Sequence, residues 1–227
     1  MIELNKIIHA DCMDIMKDIP DKYFELAIVD PPYGIMNKTK RGTQRSPHKY
    51  KIRAEKWDNK PDKKYFNDLK RISVNQIICG YNYFAEILGN CQAFIFWYKR
   101  QPIKNYSDGE LIYTSFLDRQ AVQIDYTYYG NINSDRQRFH PTQKPVALYR
   151  WLLQNYAKTG DKIIDTNSGS GSCAIACHLE KFYFLAIEKD KDYFDASVKR
   201  FNEIKQQYTF NFSDVIPEIE SHQGILL

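Results

Sequence analysis

The sequence predicts an α/β domain, a mostly parallel central sheet with helices on both faces. Three observations carry that prediction. From Lys6 to Trp97, short apolar β-prone runs alternate with stretches of helical period, the rhythm that builds a parallel sheet with crossover helices. The run Leu26-Ala27-Ile28-Val29 is apolar without alternation, as a strand covered on both faces must be. From Lys162 to Glu188 a strand, a glycine-bearing turn, a helix and a second strand ending in an acid arrive in that order.

Along the chain, Lys6 to Ala10 reads as a short strand running into Asp11. Cys12, Ile15, Met16 and Ile19 then fall at i, i+3, i+4 and i+7, the stripe of a short helix that Pro20 stops. Asp11 stands at the strand-to-helix switch, where a carboxylate can cap the helix or accept a hydrogen bond from a bound adenine or ribose. The central strand follows, Glu25 to Asp30, and leaves through Pro31-Pro32-Tyr33-Gly34. Two prolines stiffen this exit, because each fixes φ and neither can donate to a ladder. One carboxylate, one carbonyl oxygen and one aromatic face are thereby held close together, outside the carboxyl end of a strand, where open α/β sheets bind ligands. The set suits an exocyclic amine on a planar ring. Asp30 Oδ and the Pro31 carbonyl accept its two protons, and Tyr33 stacks on the ring. An ordinary proline-rich strand exit is the plainer alternative.

Residues from about 35 to 61 show neither period and read as a mobile basic loop. Between Met36 and Lys56, Lys38, Lys40, Arg41, Arg45, Lys49, Lys51, Arg53 and Lys56 stand against Glu55 alone, a net +7 in a chain of total charge +4, which leaves the remainder at −3. Phosphate contacts would use such a segment, and a solvated loop is the competing reading. A helix is predicted from about Asp62 to Ile72, with Phe66, Leu69 and Ile72 on one face. A strand from Asn75 to Cys79, a turn at Gly80 into a short helix, and a strand from Gln92 to Trp97 come next.

Between about 99 and 139 the texture changes. Two aromatic runs, Leu111 to Phe116 and Ala121 to Tyr129, lie among polar turns carrying Arg119, Arg136 and Arg138. They read either as an antiparallel edge of the sheet or as a small recognition insert. His140-Pro141-Thr142-Gln143-Lys144-Pro145 opens a helix with Leu148, Trp151, Leu152 and Tyr156 at helical spacing, and Thr142 is its predicted cap. Lys144 stands where the helix dipole favours anions, which points to an acidic partner. Lys162 to Asp165 is a strand, Thr166 to Ser172 a turn, and Cys173 to Glu180 a helix. Tyr183 to Ile187 then ends in Glu188, 23 residues past Asp165, the place of a ribose-hydroxyl acceptor in a nucleoside-binding βαβ unit. A last helix is expected to bury Phe194, Val198 and Phe201, and the tail from Gln206 has no functional reading.

At 227 residues and 43% hydrophobic content the chain suits one domain, 1–227, with a full core. No run approaches the roughly 18 apolar residues a membrane span requires, and the start lacks a secretory signal, so a cytoplasmic protein is expected. The five cysteines contain no Cys-x-x-Cys pair, so neither a disulfide framework nor a metal site is expected.

Three stretches together resemble the S-adenosylmethionine-dependent amino-methyltransferases of DNA. Asp30-Pro31-Pro32-Tyr33 resembles their catalytic loop, Asp165 to Ser172 their methionine-moiety loop, and His140 to Pro145 the segment before it. Because the catalytic box precedes the cofactor loop, the chain resembles the circularly permuted β class. That resemblance implies a Rossmann-like methyltransferase fold, S-adenosylmethionine as cofactor and double-stranded DNA as substrate. It implies Asp30, Pro31, Pro32 and Tyr33 as catalytic residues. Asp11 would approach the adenine, Glu188 the ribose hydroxyls, and Lys144 with the Gly169 to Gly171 backbone the methionine carboxylate. Cys12, Asp30, Thr142, Asp165, Asn167, Ser168 and Ser170 complete the implied cofactor set. Lys38, Lys40, Arg41, Arg45, Lys49, Lys51 and Arg53 become the candidate DNA contacts.

The implied reaction is methylation of the adenine N6 amine, since the cytosine-N4 branch more often has Ser where Asp30 stands. Cytosine-N4 methylation, or a DNA-binding homologue without turnover, are the alternatives. A homodimer and a cognate restriction endonuclease are the expected partners. One departure stands out: the family usually has proline and an aromatic where this chain has Thr166 and Asn167.

Overall fold

The strand that the fold is laid around is β2 (Phe24–Val29), which buries five of its six residues. Its side chains alternate between two cores, Leu26 and Ile28 facing one, Ala27 and Val29 the other. A computed structural model describes residues 2–35, 58–102, 104, 107–128 and 139–213. The seven candidate DNA-contacting residues from Lys38 to Arg53 lie outside the described residues, as do Arg136, Arg138 and the tail from 214.

Eight strands form one sheet in the order β1 (Lys6–His9), β8 (Tyr183–Glu188), β7 (Lys162–Asp165), β2, β3 (Ser73–Cys79), β5 (Gly109–Thr114), β4 (Ile95–Tyr98) and β6 (Val122–Asp125). Every neighbouring pair is parallel except the two that β5 makes, with β3 and with β4. Helices α1 (Cys12–Met16), α2 (Lys63–Ile72) and α3 (Tyr81–Leu88) cover one face. Helices α4 (Val146–Tyr156), α5 (Ser172–Leu179) and α6 (Lys191–Ser213) cover the other.

The aromatic run Leu111 to Phe116 is therefore not an edge. Strand β5 buries Ile112, Tyr113 and Thr114 and sits between two neighbours, because the short link from β4 returns it as a hairpin. Strand β6 forms the edge and runs parallel to β4. Arg119 lies with its guanidinium over the rings of Phe116 and Tyr156, 5.6 and 4.5 Å from their centroids.

Two local expectations change. Helix α4 starts at Val146 with Pro145 as its cap residue, so Thr142 caps nothing; its hydroxyl lies 3.2 Å from His140 Nδ1 instead. Helix α6 buries Tyr193, Ser197 and Arg200, while Phe194, Val198 and Phe201 are only half-buried. The helix is turned that way because Arg200 Nη1 reaches inward to the Ser170 carbonyl at 2.8 Å and Ser172 Oγ at 3.0 Å. Among the described residues no helix is long and apolar enough to cross a membrane.

Gly80 illustrates how backbone choice supports the strand ends. It precedes α3 at φ 74°, and a Cβ there would lie 2.4 Å from the ring of Tyr33. Gly80→Ala should therefore destabilise the fold by at least about 1–2 kcal/mol from the left-handed backbone alone, with more from the overlap. Urea denaturation measures it; a loss of no more than about 1–2 kcal/mol would mean that the Tyr33 ring moves aside, and an unchanged midpoint would contradict the left-handed backbone as well.

Candidate functional site

Strands β2 and β7 lie side by side and parallel, but the chain leaves them in opposite directions, β2 towards β3 and β7 towards β8. Diverging connections open a crevice at the carboxyl ends of such a pair. Asp30 follows β2 and Thr166 follows β7, so both loops face one cavity of about 610 Å³.

Its lining contains Asp30, Pro31, Pro32 and Tyr33 from the first loop and Thr166, Asn167, Ser168, Gly169 and Ser170 from the second. Asp11, Cys12, Thr142, Lys144 and Glu188 line it as well. Two residues expected at the cofactor do not. Asp165, 4% exposed, lies behind the wall and braces the turn by accepting a 3.0 Å hydrogen bond from the Asn167 amide. Gly171 stands behind it too, at the cap position of α5, where a Cβ would press on Ser197.

The turn after β7 approaches the cavity with its backbone and one unsatisfied hydroxyl. Gly169 adopts φ 51°, and its N–H donates to Glu188 Oε2 at 2.6 Å. The Asp190 N–H donates to Glu188 Oε1 at 2.8 Å, so both oxygens of this carboxylate are fixed in direction. Burial raises Glu188 above the usual carboxylate range. Ser168 Oγ is buried in the lining and has no hydrogen-bond partner among the described residues. A buried hydroxyl without a partner is costly unless a ligand satisfies it.

Across the cavity Asp11 caps α1, accepting from the Met13 amide at 2.9 Å, and pairs with Lys189 at 2.8 Å. The lysine holds Asp11 below its ordinary range, so it stays ionised while serving as cap. Burial, with Asp11 adding to it, pushes the Cys12 thiol up to about 12, so it lines the wall as a neutral group.

The departure at Thr166 and Asn167 has a structural counterpart. Tyr65 of α2, 3% exposed, lies with its hydroxyl 2.6 Å from Thr166 Oγ1 and donates to Asn167 Oδ1 at 2.8 Å. Thr166 Oγ1 also lies 2.9 Å from Asn167 Oδ1. A phenol from α2 thus anchors the turn from across the cleft.

Around Asp30 the geometry is closed. Lys144 Nζ lies 2.6 Å from Asp30 Oδ2 and 3.0 Å from Glu110 Oε1. The Tyr33 hydroxyl lies 2.6 Å from Asp30 Oδ1, 2.7 Å from Glu110 Oε1 and 3.1 Å from Lys144 Nζ. Lys99 pairs with the other Glu110 oxygen at 2.9 Å. The lysine implied to meet the methionine carboxylate therefore points to two protein carboxylates. One face of the Tyr33 ring is stacked on Tyr83, with centroids 4.7 Å apart. The Asp30, Cys79 and Glu110 ligand atoms lie within 4.8 Å of one another, but Lys144 supplies the cation between the two carboxylates.

Burial raises Asp30, and Lys144 offsets only part of that. Glu110 feels the same burial but has two lysines, Lys144 and Lys99, which hold it down at about 2. Lys144 is raised well above its ordinary value, since Asp30 and Glu110 outweigh its own burial. Glu110, Lys99 and Tyr65 escape a reading of the sequence. Glu110 opens an aromatic β-run with an acid, the one signal that could have marked it.

A cavity shared by the Asp30 carboxylate and a glycine-bearing turn, at the carboxyl ends of two neighbouring parallel strands, is the ligand site of an open α/β sheet. The chain belongs to the DNA methylase family N6_N4_Mtase, whose profile matches residues 61–199, more than half its length. It is 23% identical to the type II methyltransferase M.HinfI of Haemophilus influenzae, covering 89% of this chain and 69% of that one. With M2.MboI of Moraxella bovis, another type II methyltransferase, identity is 24%, over 87% of this chain and 88% of the other. Among solved structures, the M1.HpyAVI–SAM complex matches with a TM-score of 0.57 at 21% identity, covering 87% of this chain and 98% of that one. The cytosine-N4-specific PvuII DNA methyltransferase matches with 0.60 at 13%, over 90% and 91%. The fold is thus the Rossmann-like methyltransferase fold, with the Asp30 to Tyr33 loop ahead of the glycine turn.

Burial also sets a pH signature for Asp165, whose pKa rises from the ordinary 3.8 to about 8. Across that window the folded chain keeps a proton that the unfolded chain has lost, so this group lowers stability as pH rises. Asp165→Asn should remove the effect. Its melting temperature should gain on the wild type steadily from about pH 4 to 8, and a constant difference would show that Asp165 is ionised throughout.

Proposed function

We propose that the protein methylates the N6 amine of adenine in double-stranded DNA, with S-adenosylmethionine as donor. The observation that supports this most is the single cavity onto which both Asp30 and the turn from Thr166 to Ser170 open. The Ser168 hydroxyl, without a partner among the described residues, the close-approach backbone of Gly169 and the carboxylates of Glu188 and Asp11 suit the cofactor's polar groups. S-adenosylmethionine, when bound, supplies an electrophilic methyl group on a sulfonium.

The protein's part is to prepare the nucleophile. An exocyclic amine shares its lone pair with the ring and is flat. Asp30 Oδ and the Pro31 carbonyl accept its two protons and draw the nitrogen towards a tetrahedral shape, which frees the lone pair along the line of attack. As the new N–C bond forms, the amine proton becomes acidic, and the burial-raised Asp30 is a competent acceptor for it. A base stacked in a duplex cannot enter a cleft of this kind, so it is flipped out at a cost of a few kcal/mol, offset by contacts to phosphates and to the ring.

Asp30 favours adenine. Cytosine-N4 methylation is the second reading, since one structural neighbour is a cytosine-N4-specific enzyme. Under the leading reading the protein works in the cytoplasm, and a homodimer and a cognate restriction endonuclease are its proposed partners.

Duplex DNA incubated with radiolabelled S-adenosylmethionine and digested to nucleosides should carry the label in N6-methyldeoxyadenosine. Label in N4-methyldeoxycytidine supports the second reading, and unlabelled DNA contradicts both. Asp30→Ala should abolish transfer while cofactor binding by calorimetry persists; transfer near the normal rate would remove Asp30 from the mechanism. Neutralising Lys38, Lys40 and Arg41 together should weaken DNA binding and reduce the slope of log K against log salt by about 2 to 3. An unchanged slope would mean that these side chains are merely solvated.

A further inference from the structure

The chemistry above uses Asp30 and leaves Glu110 without a role, yet Glu110 has the fuller set of partners. Its side chain is 12% exposed and receives Lys99, Lys144 and the Tyr33 hydroxyl within 3.0 Å. Strand β5 carries it to the carboxyl end of β2 from 80 residues away in sequence, so its place owes nothing to local folding. Among the described residues Asp30 has Lys144 and Tyr33.

The ammonium of Lys144 lies 2.6 Å from Asp30 Oδ2. This N–H donor occupies the carboxylate that the mechanism assigns to the amine of the target base. The acceptor is therefore engaged before a base arrives, and Lys144 must release it. With Lys144 only 6% exposed, an ammonium released without another partner would stand unpaired with little access to water.

Granting the function proposed above, we propose that Glu110 is a positioning residue, the second seat to which the Lys144 ammonium withdraws when Asp30 is handed to the target amine. Lys144 is then an internal stand-in for that amine, holding the Asp30 carboxylate ionised and aimed between turnovers. The move is small, because Nζ already lies 3.0 Å from Glu110 Oε1. The asymmetry of partners gives it direction. Lys99, 2.9 Å from Glu110, keeps that acid ionised, whereas among the described residues Asp30 has no second lysine, so Asp30 is the carboxylate that Lys144 more easily gives up. The Tyr33 hydroxyl bridges both acids and can turn fully to either.

The proposal predicts an effect that a brace would not produce. In Glu110→Gln, Lys144 has one anionic partner and competes harder for Asp30. The KM for DNA should rise about tenfold or more, equivalent to about 1.4 kcal/mol, while the Kd for S-adenosylmethionine stays within about twofold. Adding Lys144→Met to that variant removes the competitor and should recover at least about threefold of kcat/KM for DNA. A double variant no better than Glu110→Gln, or a Glu110→Gln enzyme with normal KM, overturns the proposal.

A second measurement uses the wild type alone, and so survives a variant that does not fold. In carbon-13 and nitrogen-15 spectra, addition of duplex DNA and S-adenosylhomocysteine should move the Asp30 carboxyl resonance while Lys144 stays coupled to Glu110. Lys144 still coupled to Asp30 in that complex overturns the proposal. Wild-type enzyme that methylates no DNA defeats the functional reading and this inference with it, whereas normal methylation with an unaffected Glu110→Gln defeats this inference alone.

Discussion

A buried ammonium must be paired, and here one lysine ties four parts of the chain together. Lys144 comes from the segment before α4, Asp30 and Tyr33 from the exit of β2, Glu110 from β5, and Lys99 from the end of β4. Two lysines face two carboxylates, so the group is close to neutral, which is how so many charges stand in a cleft without collapsing it. Because β5 runs antiparallel between β3 and β4, its N-terminal end, with Glu110, lies at the carboxyl ends of the parallel strands.

The second constraint is topological. Strands β2 and β7 are neighbours whose chains depart to opposite sides, and the crevice between them receives one loop from each. The β2 loop brings stiffness, through two prolines and a tyrosine held by Gly80 and Tyr83. The β7 loop brings open backbone, braced from behind by Asp165 and Arg200 and from across the cleft by Tyr65. A rigid acceptor beside an accessible turn is what transfer between two bound molecules requires, because alignment does most of the work.

Much of this was legible in the residues. The apolar run before Asp30, the helical spacing of Phe66, Leu69 and Ile72, and the distance from Asp165 to Glu188 each report a local period, and the structure has the matching element. Where pairing depends on distant chain, the reading ran out. Nothing near Leu111 to Phe116 says that β5 is internal, because insertion into a sheet is decided by the neighbours. Glu110 was passed over for the same reason: an acid at the head of a strand looks solvated until Lys99 and Lys144 are seen beside it. Thr142 was misplaced as a cap because the chain needs Thr142 and Lys144 in the cleft, which delays the helix to Val146. In α6 the aromatic stripe suggested the buried face, and a polar anchor, Arg200, turned it by one residue.

The account stands on one spatial claim, that the carboxylate after β2 receives the amine of a flipped base beside a cofactor seated on the turn after β7. A crystal structure of the protein with S-adenosylhomocysteine and a duplex containing its target tests it most directly. The account predicts the exocyclic nitrogen of one extrahelical base hydrogen-bonded to Asp30 and about 3 to 3.5 Å from where the transferred methyl would stand. A cofactor analogue bound away from Ser168 and Gly169, or a base held out of reach of Asp30, would contradict it.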